Sequence, residues 1–332
     1  MKFVIDQAIP FIKGILEPYA EVLYRHGEAI CAEDVRDADA LIIRTRTRCN
    51  QDLLEASSVK LITTATIGFD HIDLDYCRKH DIEVTTAAGC NARGVLQWVG
   101  AALARLAEDC RFNPTERTLG IVGVGNVGRL VKEYAEAWGF RVICCDPPRE
   151  EREHCGFIAL DELLCQADIV TFHVPLESTT RHMLNRDNIA LIRHNALVIN
   201  ASRGEVIDSE ALFERDDLTL ALDVWEHEPQ IDKRLLQRAV VATPHIAGYS
   251  LEGKANATAI AVRSVAHHFG LPLETWYPND IVPATPSVIE WEQMCHTIAH
   301  YCDLRTESTA LKNAPEKFET LRNNYNYRNE YF

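Results

Sequence analysis

The sequence predicts an α/β chain, with two doubly wound parallel-sheet domains followed by a short C-terminal α+β segment. Three observations carry that expectation. Short apolar runs alternate with helical stretches along most of the chain, the pattern of parallel strands joined by helices. The alternation restarts near Asn91. The second unit then leads into a glycine-rich turn set between a strand and a helix.

In chain order, 3–6 reads as a strand and 9–19 as a helix, with further strands at 41–44 and 61–64. A helix at 72–80 and a strand at 82–85 complete the first unit. A long apolar helix at 95–107 carries Val95, Val99, Ala102, Leu103 and Leu106. Strands at 119–122 and 141–145 flank a helix at 129–138, and more strands follow at 169–173, 197–200, 220–223 and 240–242. The expected domains are 1–92 with 249–277, then 93–248, and finally 278–332, which a proline-rich linker from Tyr277 to Pro286 introduces.

Composition narrows the class. A chain of 332 residues with 47% hydrophobic side chains can bury two cores. Its net charge of −15 argues against nucleic acid or an acidic membrane surface as partner. No apolar run approaches the ~20 residues of a membrane span, and the N-terminus lacks a signal-peptide pattern. The 11 cysteines include no C-x-x-C pair. They are expected to be reduced, mostly buried thiols of a cytoplasmic protein, and no metal site is expected.

The run Gly123-Val124-Gly125-Asn126-Val127-Gly128 is G-x-G-x-x-G. In such a turn the first glycine permits the bend, the second lets backbone approach a pyrophosphate, and the third lets helix pack on strand. The pyrophosphate then meets the free N–H groups of the helix N-terminus. Asp146, at the end of the next strand, is placed to take the ribose hydroxyls, and its charge repels a 2′-phosphate. A Rossmann-like domain binding NAD follows from strand, turn, helix, strand and acid in sequence.

Downstream, three strands each end in a polar loop. Asn200-Ala201-Ser202-Arg203-Gly204 offers a guanidinium suited to a carboxylate, or to a surface ion pair. Asp223-Val224-Trp225-Glu226-His227-Glu228-Pro229 offers carboxylates, and Thr243-Pro244-His245-Ile246-Ala247-Gly248 an imidazole. Oxidising an alcohol beside a nicotinamide needs a base for the hydroxyl proton, and a carboxylate on the other ring nitrogen orients that base.

These segments, in this order, resemble those of the D-isomer-specific 2-hydroxyacid dehydrogenases. A narrower resemblance, to the erythronate-4-phosphate dehydrogenase family within them, rests on four local runs and a fifth near the C-terminus. The four are Thr66-Ile67-Gly68-Phe69-Asp70-His71-Ile72-Asp73, Ala88 to Gly94, Cys145-Asp146-Pro147-Pro148-Arg149 and His245 to Lys254; the fifth is Phe318-Glu319-x-Leu321-Arg322-x-x-Tyr325-x-x-Arg328. The resemblance implies Arg203 and Glu228 as catalytic residues and His245 as the proton carrier, with Glu226 and His227 as decoys. It implies cofactor contacts from the glycine turn, Asn126 and Val127 included, and from Asp146, Val174, Ala201, Arg203, Asp223 and Gly248. Val174 stands where threonine is frequent, so any contact there is through backbone or apolar atoms.

For substrate, the resemblance implies Thr45, Thr66 and Tyr249, and a phosphorylated sugar acid processed in vitamin B6 biosynthesis by a homodimer. Arg44-Thr45-Arg46-Thr47-Arg48 fits that: at strand period the three arginines share a face, forming either a phosphate site or a solvated basic edge. Arg44 leads, with Arg46 beside it and Arg93 a weaker second. Family members run on past the C-terminal run, so the dimerisation segment is expected to be shortened here. Two other functions stay open: a dehydrogenase for another D-2-hydroxy acid, such as 3-phosphoglycerate, and an NAD-sensing binding protein without catalysis.

Overall fold

The computed structural model describes residues 1–283, 285 and 287–332. Two compact units emerge, Met1–Asn91 with Leu251–Pro283, and Ala92–Ser250 with Ala284–Phe332. The proline-rich linker expected from the sequence includes Ala284 and Pro286, which lie outside the described residues. No described helix is long and apolar enough to cross a membrane.

The first unit is built on five parallel strands, β1 (Lys2–Asp6), β2 (Glu21–Arg25), β3 (Ala40–Ile43), β4 (Leu61–Thr64) and β5 (Glu83–Thr86), in the order β2-β1-β3-β4-β5. The central strands bury both faces, which is why they read as unbroken apolar runs. Phe3, Ile5 and Ile42 face one core, which the helix Leu251–Phe269 covers with Ala257, Ala261, Val262 and Val265; Val4, Leu41, Ile43 and Ile62 face the other.

Two expectations fail here. The stretch 9–19 is a chain of turns, not a helix. Pro10 and Pro18 punctuate it, and Phe11 and Gly14 hold positive φ, which a helix cannot accommodate. Ile9, Ile12 and Leu16 still reach the core, so the crossover buries apolar surface without helical hydrogen bonding. Its end leads into β2, an edge strand with no fully buried residue and not among the expected strands. The second failure is at 44–48. The strand stops at Ile43 and those residues turn, so Arg44, Arg46 and Arg48 do not share a face through strand alternation.

The second unit has six parallel strands, β6 (Thr118–Val122), β7 (Arg141–Cys145), β8 (Ile169–Phe172), β9 (Leu197–Asn200), β10 (Thr219–Leu222) and β11 (Val241–Ala242), in the order β11-β10-β9-β8-β6-β7. The order of strand addition reverses between β6 and β8, where open α/β sheets form their ligand crevice. The helix Ala92–Cys110 lays Trp98, Val99 and Leu103 on one face of the sheet. Met294, Ile298, Leu304 and Phe332 of the C-terminal segment join that core, and Leu311 and Phe318 join the other.

Candidate active site

The glycine turn sits at the reversal point, and its three glycines do three different things. Gly123 has φ +85°, and a Cβ there would lie 2.6 Å from Val174 Cγ1 and 2.7 Å from the His173 carbonyl oxygen. Gly128 is packed so tightly that a Cβ would come 2.0 Å from the Gly123 carbonyl oxygen. At Gly125 a Cβ would meet nothing within 4 Å. Open space at that one glycine, ahead of the helix Asn126–Ala137 with its unpaired first-turn amides, fits a backbone cradle for a pyrophosphate.

Asp146 braces this turn. One carboxylate oxygen accepts from the Val124 amide at 2.8 Å; the other caps the helix Pro147–Glu153 through the Arg149 amide at 3.0 Å. Arg149 donates to the Val124 carbonyl at 2.8 Å and pairs with Glu153 at 2.7 Å, closing the brace.

The three polar loops come together at the C-terminal ends of β9, β10 and β11. Asn200 shapes the first: its amide oxygen accepts from the Ser202 amide and hydroxyl at 3.0 and 2.8 Å, and its nitrogen donates to the Arg203 carbonyl at 2.8 Å. Arg203 is half-buried and its Nη1 donates to the Ser202 carbonyl at 2.8 Å. Gly204 then lies against the second loop, where a Cβ would come 2.0 Å from the Trp225 carbonyl carbon.

His245 and Glu228 are in direct contact, Nδ1 to Oε2 at 2.8 Å, with 26% and 18% of their side chains exposed. The other Glu228 oxygen accepts from the Trp225 amide at 2.9 Å. Burial raises the Glu228 carboxyl, but the His245 charge and hydrogen bond, the Trp225 amide and the Arg322 charge outweigh it, holding the group below the usual carboxylate range. Glu226 turns elsewhere, accepting from His182 at 2.7 Å and from the Ser209 amide at 2.9 Å; His227 is exposed.

Asp223 lies fully buried under the His245 loop. It accepts from the Ile246 and Ala247 amides at 2.8 Å each and from the Thr243 hydroxyl, while its carbonyl takes the His245 amide at 2.7 Å. Burial pushes its carboxyl up against those donors and the nearby His245. Its visible task is to hold the loop on which His245 adopts φ +58°.

Of the remaining expected residues, Ala201, Gly248 and Tyr249 lie half-buried on the same loops, and Val174 follows β8 against Gly123. Thr45, Thr66, Arg44 and Arg46 belong to the first unit. Arg44 follows β3 at the reversal between β1 and β3, its Nη1 donating to the Ala8 carbonyl at 3.2 Å. The Thr66 hydroxyl lies 2.6 Å from that of Thr64.

Residues 97–247 match the family model described as D-isomer specific 2-hydroxyacid dehydrogenase, NAD binding domain. Over 342 aligned residues, 99% of this chain and 97% of the relative, the chain is 43% identical to an erythronate-4-phosphate dehydrogenase of Bacteroides thetaiotaomicron. Among solved structures it is similar to an NAD+-bound 3-phosphoglycerate dehydrogenase of Entamoeba histolytica (26% identity, TM-score 0.70, covering 85% of this chain and 99% of that one). A D-lactate dehydrogenase of Aquifex aeolicus, complexed with NAD and lactic acid, gives 26% identity, TM-score 0.67 and coverage of 81% and 96%. The cofactor of this fold, as of those relatives, is NAD.

Proposed function

The chain belongs to the erythronate-4-phosphate dehydrogenases, within the D-isomer-specific 2-hydroxyacid dehydrogenases, and from that membership we propose that it oxidises 4-phospho-D-erythronate at C2 to the 2-oxo acid in vitamin B6 biosynthesis. The observation that carries the chemistry is the His245–Glu228 contact at 2.8 Å on loops that also present Arg203. NAD, when bound, would supply the acceptor for the C2 hydride. His245 takes the hydroxyl proton on Nε2 while Glu228 holds Nδ1, fixing the tautomer and balancing the imidazolium that forms. Arg203 clamps the substrate carboxylate, polarising C2 toward the carbonyl product.

The cofactor would be held by the turn Gly123, Gly125, Asn126, Val127 and Gly128 at the pyrophosphate and by Asp146 at the ribose. Val174, Ala201, Asp223 and Gly248 line the remainder, with Asp223 acting through the loop it supports. Thr45, Thr66 and Tyr249 contact the substrate, and Arg44 with Arg46 serves its phosphate. Support for Arg44 is its place at a strand-order reversal, where open sheets bind ligands. The same proposal takes the protein as a cytoplasmic homodimer, on the strength of the family resemblance; light scattering on the purified protein checks the dimer.

The direct test follows NADH fluorescence on adding 4-phospho-D-erythronate, with D-3-phosphoglycerate and D-lactate alongside and a 2-oxo acid present to reoxidise bound cofactor. Turnover strongly favouring 4-phosphoerythronate supports the proposal; preference for another acid discards the substrate and keeps the catalytic set. Arg44→Ala is expected to raise KM for the phosphorylated acid about 10-fold or more, the loss of one charge-assisted hydrogen bond. An equal effect on an unphosphorylated 2-hydroxy acid would remove Arg44 from the phosphate site.

A further inference from the structure

The C-terminal run from Tyr325 to Phe332 has no task in the scheme above, yet it supplies a second support for the loop of His245. That loop follows β11, a strand of two residues at the edge of the six-stranded sheet, so only β10 flanks it within the sheet. An edge strand leaves one row of backbone groups without a ladder partner. The C-terminal segment takes that side. The Ala242 amide donates to the Ser308 hydroxyl at 3.0 Å. Ser250 forms a parallel backbone bridge with Arg328, and its hydroxyl donates to Glu330 at 2.8 Å. Between these two pins lies Arg328, 7% exposed. Its guanidinium donates to the Ile246 carbonyl at 3.1 Å, to the Ala247 carbonyl, and to the Gly94 carbonyl at 2.8 Å, in the first turn of the helix Ala92–Cys110. The Tyr325 hydroxyl accepts from the same Nη1 at 3.3 Å. Asp223 takes the amides of Ile246 and Ala247, so two consecutive residues are gripped at N–H by a carboxylate and at C=O by a guanidinium.

We propose that Arg328 is a positioning residue for the reaction: by gripping the carbonyls of the two residues after His245, it fixes the backbone that aims the imidazole, and it brings the C-terminal segment into catalysis without touching substrate or cofactor. Glu228 orients the ring through Nδ1, but the ring can be aimed only if its own backbone is fixed. His245 holds φ +58°, which a residue with a side chain keeps only when its surroundings impose it. Arginine suits the task because its planar fork presents several N–H groups at fixed angles, so one side chain can hold carbonyls from two segments at once. Without it those carbonyls are buried and unpaired, and the loop gains by moving toward water.

Two variants and two readings test this. Arg328→Lys keeps the charge but, as a single point donor, serves fewer carbonyls; Arg328→Gln loses the charge as well. In the intact protein, amide hydrogen exchange over residues 243–250 is expected to quicken about 10-fold or more in Arg328→Lys, and further in Arg328→Gln, the loss of one hydrogen bond or more. Exchange in β6 and β8 stays as in wild type. With 4-phospho-D-erythronate, kcat falls about 10-fold in the lysine variant and about 100-fold in the glutamine variant, as displacements approaching 1 Å would cause. NADH affinity stays within about threefold, because the glycine turn does not touch Arg328. In a His245→Asn background, Arg328→Lys changes the residual kcat by no more than about twofold, since its effect passes through the imidazole.

The role of Arg328 rests on the dehydrogenase proposal, and the exchange measurement separates the two. Exchange over 243–250 as slow as wild type in both variants overturns the grip, whatever the turnover. A further 10-fold loss of kcat in the His245→Asn background overturns the route through His245, because a general weakening of the fold would be felt there too. Quickened exchange in a protein whose wild type oxidises none of the acids overturns the dehydrogenase proposal and leaves the grip standing. Should Arg328→Gln fail to fold, Arg328→Lys decides alone by the same two readings.

Discussion

Replacing His245 with asparagine is expected to lower kcat about 10²–10⁴-fold, the range for loss of a positioned acid–base group, while leaving NAD binding within about twofold. Asparagine is the informative choice because His245 sits at φ +58°, a conformation that asparagine tolerates better than alanine. The loop itself does not depend on the imidazole. Its amides go to Asp223 and its carbonyls to Arg328, so the backbone stays in place when the ring is lost. What disappears is the group proposed to take the proton, and with it the partner of Glu228. Steady-state kinetics with 4-phospho-D-erythronate, beside NADH fluorescence titration, reads both quantities. Turnover close to wild type would give the proton-carrier role to another residue.

Much of this site was legible because its parts lie next to strands. A strand ending in a polar loop is a local pattern, and three such loops on one parallel sheet must share one edge, so the loops of Arg203, of the 223–229 carboxylates and of His245 group together from sequence, and the family resemblance picks Glu228 among those carboxylates. The glycine turn was legible for the same reason: strand, turn and helix occupy a single continuous run. The crossover at 9–19 misled because its apolar residues are buried, as a helix would bury them, while two prolines and two positive-φ residues divert its backbone. The arginines at 44–48 misled because a strand end one residue early destroys the alternation on which the shared face depended.

The scaffold behind the candidate-site loops was not legible at all. Arg322 meets Tyr249 across 73 residues and Arg328 meets Ile246 across 82, so no window of sequence contains both partners. Asn200 is local, but an asparagine at a strand end is common, and nothing marks it as the residue that ties Ser202 to the Arg203 carbonyl. For Asp223 the family resemblance implies only a cofactor contact. Its three hydrogen bonds into the loop of His245 emerge only when β10 and β11 lie side by side.

Gly204→Ala and Gly125→Ala should separate the two uses of glycine in this fold. At Gly204 the new methyl would lie 2.0 Å from the Trp225 carbonyl carbon, 2.1 Å from its oxygen and 2.4 Å from the Glu226 nitrogen, all backbone atoms that no rotamer change can clear. The loop carrying Arg203 must then move away from the loop carrying Glu228. Stability is expected to fall by about 2–3 kcal/mol, the upper end of overpacking costs, and kcat/KM by two orders of magnitude or more, since displacements near 1 Å at the reacting groups cost about that much. At Gly125 the methyl meets no protein atom within 4 Å, so the fold and melting temperature should match wild type. NAD affinity should nevertheless drop at least about 10-fold, because the space the methyl enters is where backbone must approach the pyrophosphate. Calorimetry and NADH titration on both variants read the contrast. A Gly125→Ala protein with unchanged NAD affinity would place the pyrophosphate elsewhere, and an active, stable Gly204→Ala protein would show that the Arg203 and Glu228 loops are not held in register by that contact.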